Sequence, residues 1–127
     1  MNLVFSEESL KWLKEKGFND WEIEDAQKCI NIAAKSILNN ETAIRIPEGT
    51  TVKVAALAYA VLSNFDENMA QSKMITISQE IRDAYNEEIE IGQLEELHAK
   101  IRKVKLGKIY SDARKKSSVK KGSPTID

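Results

Sequence analysis

Cysteine and histidine are almost missing from this chain: Cys29 and His98 are the one residue of each kind among 127. A lone cysteine cannot close an internal disulfide, which fits a reducing, cytoplasmic setting, and one thiol with one imidazole is too little for an ordinary zinc site. Long apolar runs are missing too. The longest, 54–62, has nine residues against the roughly 20 that cross a bilayer, so no membrane association is expected. The opening residues, MNLVFSEESLKWLKEKGF, show no basic stretch ahead of an apolar one and no small-residue cleavage site. The expectation is a chain without an export signal.

Groupings that carry out chemistry are also absent. The acidic pairs Glu7-Glu8, Glu87-Glu88 and Glu95-Glu96 are neighbours in sequence, so their carboxylates diverge around a helix and read as solvated faces. Residues 48–51, EGTT, lack the lysine of a phosphate-binding loop. Cys29 borders an apolar stripe and reads as an inert core thiol, and His98, three residues after Glu95, reads as a surface residue. The expectation is no enzyme, no metal and no cofactor.

Charge is what the chain has, and it is polarised. Residues 1–99 hold 9 Lys/Arg against 18 Asp/Glu, and residues 100–127 hold 10 against 2, so local charges of −9 and +8 hide within a total of −1. The basic stretch comprises Lys100, Arg102, Lys103, Lys105, Lys108, Arg114, Lys115, Lys116, Lys120 and Lys121. Like charges repel, so such a segment gains free energy on meeting an anion: a nucleic acid, an acidic protein surface or the acidic body of the same chain.

Periodicity predicts a mainly all-α protein, a compact bundle of about five helices. With 42% apolar residues, 1–110 is read as one helical domain and 111–127 as a basic flexible tail without an apolar period. Ser6 caps a first helix that Gly17 ends. Asn19-Asp20 start a second, with apolar positions 23, 26, 30, 33, 34, 37 and 38, flanked by Trp21 and Cys29. Alternation over 43–46 and the turn residues Pro47, Glu48 and Gly49 predict one short strand or hairpin near 43–54. A third helix, 52–65, is apolar nearly all round and belongs at the centre. Residues 66–73 read as a polar connector that Met69 could anchor. Thr76 or Ser78 starts a fourth helix, Asn86-Glu87-Glu88 breaks it, and a fifth runs from about 91 through Leu94, Leu97, Ile101 and Val104 until Gly107 interrupts it.

Residues 52–111 follow the order of a winged-helix domain, in which a third helix enters the DNA major groove. TISQEIRDAYNEE resembles its second helix, IGQLEELHAKIRKV its third, and 105–110 the start of a wing. Glu95 and Glu96 at the start of the reading helix and the missing small residue in the turn speak against it, and a generic helical bundle whose spacing happens to fit is the preferred reading.

Two function classes follow. In the first, a small non-enzymatic regulatory or accessory protein lays its basic arm on DNA or RNA phosphates while the acidic body meets protein partners. In the alternative, the chain is a protein-interaction module (inhibitor, adaptor or small structural subunit) whose acidic body, represented by Glu22, Glu24 and Asp25, binds a basic protein surface. The Leu94, Leu97, Ile101, Val104 seam has heptad spacing over about two heptads, which leaves a homodimer open.

Overall fold

Short polar side chains start five of the six helices among the described residues, which in this computed structural model are 2–39 and 44–104. Helix α1, Glu7–Glu15, is capped by Ser6, and α2, Asp20–Leu38, by Asn19 in a full capping box with Glu22. Helices α3, Val52–Ser63, α4, Glu67–Ser72, and α5, Gln79–Ile91, are capped by Thr51, Asp66 and Ser78. Each cap oxygen accepts an N–H from the first turn that has no partner within the helix. Helix α6, Leu94–Lys103, starts from Gln93 without a side-chain cap. Its first turn carries Glu95 and Glu96 and its last turn Lys100, Arg102 and Lys103, so its charges still complement the helix dipole.

The all-α expectation is met, and α3 is its centre. Eight of the twelve α3 residues are buried, many of them alanines that let α2, α5 and α6 approach closely. Around it sit Leu13 from α1, Ile30 from α2, Ile81 and Tyr85 from α5, and Leu97 and Ile101 from α6. Trp12 meets the Tyr85 ring edge-on at 5.7 Å, and Phe18 lies at the same distance. Burial in this aromatic group pushes the Tyr85 hydroxyl up to about 12, with the Glu22 carboxylate adding to the shift.

The strand expectation needs correcting. Residues 44–50 contain no strand, although Ile44 is buried, Arg45 exposed and Ile46 half-buried as alternation requires. No neighbouring strand among the described residues lies there to complete a ladder. The turn survives: Thr50 donates both N–H and hydroxyl to the Pro47 carbonyl, and Gly49 takes φ +84°. The strands are β1, Val4–Phe5, and β2, Met74–Ile75, paired in parallel with Val4 opposite Met74. Two-residue strands are too short to show a period of two, and their pairing joins distant parts of the chain. Asn31 on α2 closes the outer edge of β1, accepting from the Leu3 N–H at 2.7 Å and donating to the Leu3 carbonyl at 3.0 Å. The expected connector 66–73 is mostly helix α4, with Met69 buried as its anchor.

Two further boundaries move. Helix α5 runs straight through Asn86, Glu87 and Glu88 and stops at Gly92, whose φ of +64° reverses the chain while its N–H donates to the Glu88 carbonyl. The separation from α6 therefore falls at Gly92-Gln93. The region from 105 onward, including the proposed wing, the interruption at Gly107, the boundary at 110 and the tail, lies outside the described residues.

Buried Ser9 ties α1 to β2: its hydroxyl donates to the Ile75 carbonyl at 3.0 Å and accepts the Ile77 N–H at 2.9 Å. Ser9→Ala leaves that buried N–H without a partner. The variant should lose about 1–3 kcal/mol in chemical denaturation. An unchanged unfolding midpoint would show that the Ser9 bridge contributes nothing.

Candidate nucleic-acid interface

Of the ten cations read from the sequence, Lys100, Arg102 and Lys103 fall within the described residues. They share the last turn of α6 but not the same environment. Lys105, Lys108, Arg114, Lys115, Lys116, Lys120 and Lys121 lie outside the described residues.

Lys100 is committed to the body. Its ammonium donates to both oxygens of the Glu88 carboxylate, at 3.0 and 2.8 Å, and approaches Glu96 Oε1 at 3.9 Å. It also stands 5.4 Å from the centre of the Tyr59 ring on α3. The Glu88 side chain is only 4% exposed, which corrects the expectation of a solvated Glu87-Glu88 pair. Glu88 continues the inward stripe of Ile81 and Tyr85, at seven and three residues' distance, so the helix period carries it into the interior. A buried carboxylate needs a cation, and Lys100 supplies it. The same contact, opposed by partial burial, holds the Lys100 ammonium above the usual lysine range.

Arg102 and Lys103 point outward. Both are exposed, and neither makes an ion pair among the described residues. Lys103 borders a hollow of about 390 Å³ whose walls are Tyr59, Ser63, Lys100 and Val104. The hollow sits where the chain leaves α6 toward its most basic stretch. His98, one turn earlier, is half-buried, and its Nε2 has no partner among the described residues. Burial first, then the Arg102 charge, lower its pKa against a smaller pull from Glu95, so the ring is neutral at pH 7.

The acidic residues divide in a similar way. Glu22 is drawn inward: it accepts the Asn19 N–H at 2.9 Å and the Lys53 ammonium at 3.2 and 3.3 Å, and its side chain is 12% exposed. The Asn19 N–H and then Lys53 hold its carboxyl below the usual range, although partial burial pulls the other way. Glu24 is exposed and Asp25 half-exposed, so these two face outward. They share a hollow of about 350 Å³ with Trp21 and the Glu48-Gly49 turn. Sequence reasoning missed Glu88, Tyr59 and Trp21 as participants. Inward periodicity marked Glu88, but nothing in the sequence linked it to Lys100.

Among the described residues there is no group of three or more His, Cys, Asp and Glu side chains placed to hold a metal, and no helix long and apolar enough to cross a membrane. Cys29 is buried, and burial pushes its thiol up to about 11, so it stays protonated at neutral pH. No family model, curated protein or solved structure matches this chain.

Lys100→Met strands the Glu88 carboxylate and should cost about 2–3 kcal/mol, less than a fully buried pair because the lysine is partly exposed. Pairing it with Glu88→Met removes the stranded charge, and urea denaturation should show most of that loss recovered. Equal destabilisation of single and double variants would contradict the ion pair's role.

Proposed function

We propose that this chain is a small, non-enzymatic nucleic-acid-binding protein of regulatory or accessory kind, which grips phosphates with its C-terminal arm. The supporting observation is the division of cations on the last turn of α6: Lys100 is neutralised by the buried Glu88, while Arg102 and Lys103 face outward at the head of the basic stretch. An exposed guanidinium and ammonium without local partners lose little on leaving their own surface for a phosphate.

The arrangement of α3, α5 and α6 supports a helix–turn–helix reading of this body. Helices α5 and α6 both lie on α3, and Gly92 provides the small residue in the turn. The exposed Glu95 and Glu96 remain at the start of α6, where a DNA-reading helix normally meets base edges. Carboxylates there repel the phosphate backbone. We therefore assign contact to the end of α6 and the residues beyond it, and sequence-independent phosphate binding rather than base reading.

Full-length protein should bind a short duplex at about 50 mM salt, with affinity falling steeply as salt rises. Replacing Arg102 and Lys103 together by glutamine should reduce the slope of log affinity against log salt by about 1.8, since each phosphate they neutralise adds about 0.9. No binding at low salt, or an unchanged slope in the double variant, would overturn the proposal.

A further inference from the structure

Cations of the chain stand over the buried rings of Trp12 and Phe18 and over the half-buried ring of Tyr59. Lys16 and Arg82 each approach the Trp12 ring at 5.6 Å, Lys53 stands 4.8 Å from the Phe18 ring, and Lys100 stands over Tyr59. Trp21 differs from these rings in its exposure. It is 55% exposed, the most exposed large apolar side chain among the described residues, and none of the described cations lies over it.

Its surroundings are suited to a cation. Glu24 and Asp25 follow three and four residues later on α2, which places them one turn along the same face. Glu48 and Gly49, from the turn ahead of α3, form the opposite wall of the 350 Å³ hollow. Lys28 also lines it but makes no ion pair among the described residues, so the three carboxylates leave the hollow at a net −2. An aromatic face bordered by carboxylates repels phosphate and attracts a flat, weakly hydrated cation. A guanidinium stacks on indole and donates in-plane N–H groups to carboxylates, whereas an ammonium is a more strongly hydrated point charge.

We propose that this hollow receives an arginine side chain from a basic segment of a partner protein, with the guanidinium on Trp21 and its N–H groups on Glu24 and Glu48. This hollow shares no lining residue with the one beside Lys103 on α6, and the carboxylates that attract the partner also keep this face away from nucleic acid. One small protein would then bridge a polyanion and a basic protein.

The test uses the full chain at about 50 mM salt and a capped glycine-arginine peptide, with glycine-lysine and glycine-glutamate peptides for comparison. Trp12 is buried, so subtracting the emission of a Trp21→Phe variant isolates the Trp21 fluorescence. The arginine peptide should shift that emission and protect it from iodide. The lysine peptide should bind more weakly and the glutamate peptide not at all. By isothermal titration calorimetry, Trp21→Ala, and separately Glu24→Gln with Glu48→Gln, should weaken arginine-peptide binding at least tenfold with an unchanged melting temperature. Binding unaffected by both variants, or no spectral response to the arginine peptide, would overturn the proposal. It would also be overturned if Trp21 were already shielded in the free chain and became accessible once the seven cations from Lys105 to Lys121 were replaced by glutamine. The occupant would then be the chain's own arm.

Discussion

A carboxylate withdrawn from water must find a cation or a set of donors, and in this chain Glu88 finds Lys100. That contact joins the inward stripe of α5 to the last turn of α6, and Tyr59 brings α3 to the same point. Once Lys100 turns inward, the helix period decides the rest: Leu97 and Ile101 fall on the core, and Arg102 and Lys103 fall on the outside. The pair is not a generous source of stability, because desolvation offsets much of its attraction. Its effect is geometric. It fixes the rotation of α6 and thereby which cations remain available to an external anion.

The rest of the charge follows the same division between internal and external use. Glu22 joins a capping box and pairs with Lys53, tying α2 to α3. Glu80, Asp83, Glu87 and Glu90 lie on the outer side of α5, while Glu95 and Glu96 stand at the start of α6. A body with that surface repels phosphate, so a nucleic acid bound as proposed would meet the C-terminal arm rather than the body. Trp21, among carboxylates at the start of α2, then suits a partner of opposite charge to the one the arm would seek.

Much of this fold was legible in the sequence because it is written locally. Ser6 and Asn19 cap helices where their side-chain chemistry says they should, Ser78 is one of the two starts offered for its helix, and the apolar 52–63 segment is the centre of the bundle. Two failures are local, the connector 66–73 that is helix α4 and the break placed at 86–88 instead of Gly92, and the others involve partners distant along the chain. The β1–β2 pair joins two residues near position 4 to two near 74, too few for any pattern. Ile44 and Ile46 alternate as a strand should but have no described strand beside them. Glu88 reads from sequence as one of two solvated glutamates, and only the packing of α6 brings Lys100 to it. For the candidate interface, the basic composition was readable, but which cations were already occupied was not. Trp21 was visible only as a residue flanking an apolar stripe, and its exposure and the approach of the Glu48 turn are tertiary facts.

The partition of α6 cations is tested most directly by following lysine ammonium signals of the full chain by NMR while a nucleic-acid duplex is added at low salt. The Lys103 ammonium should shift with added duplex, while Lys100 keeps its free-state position, held by Glu88. Movement of Lys100 to the same extent as Lys103, or no movement of either, would contradict the account.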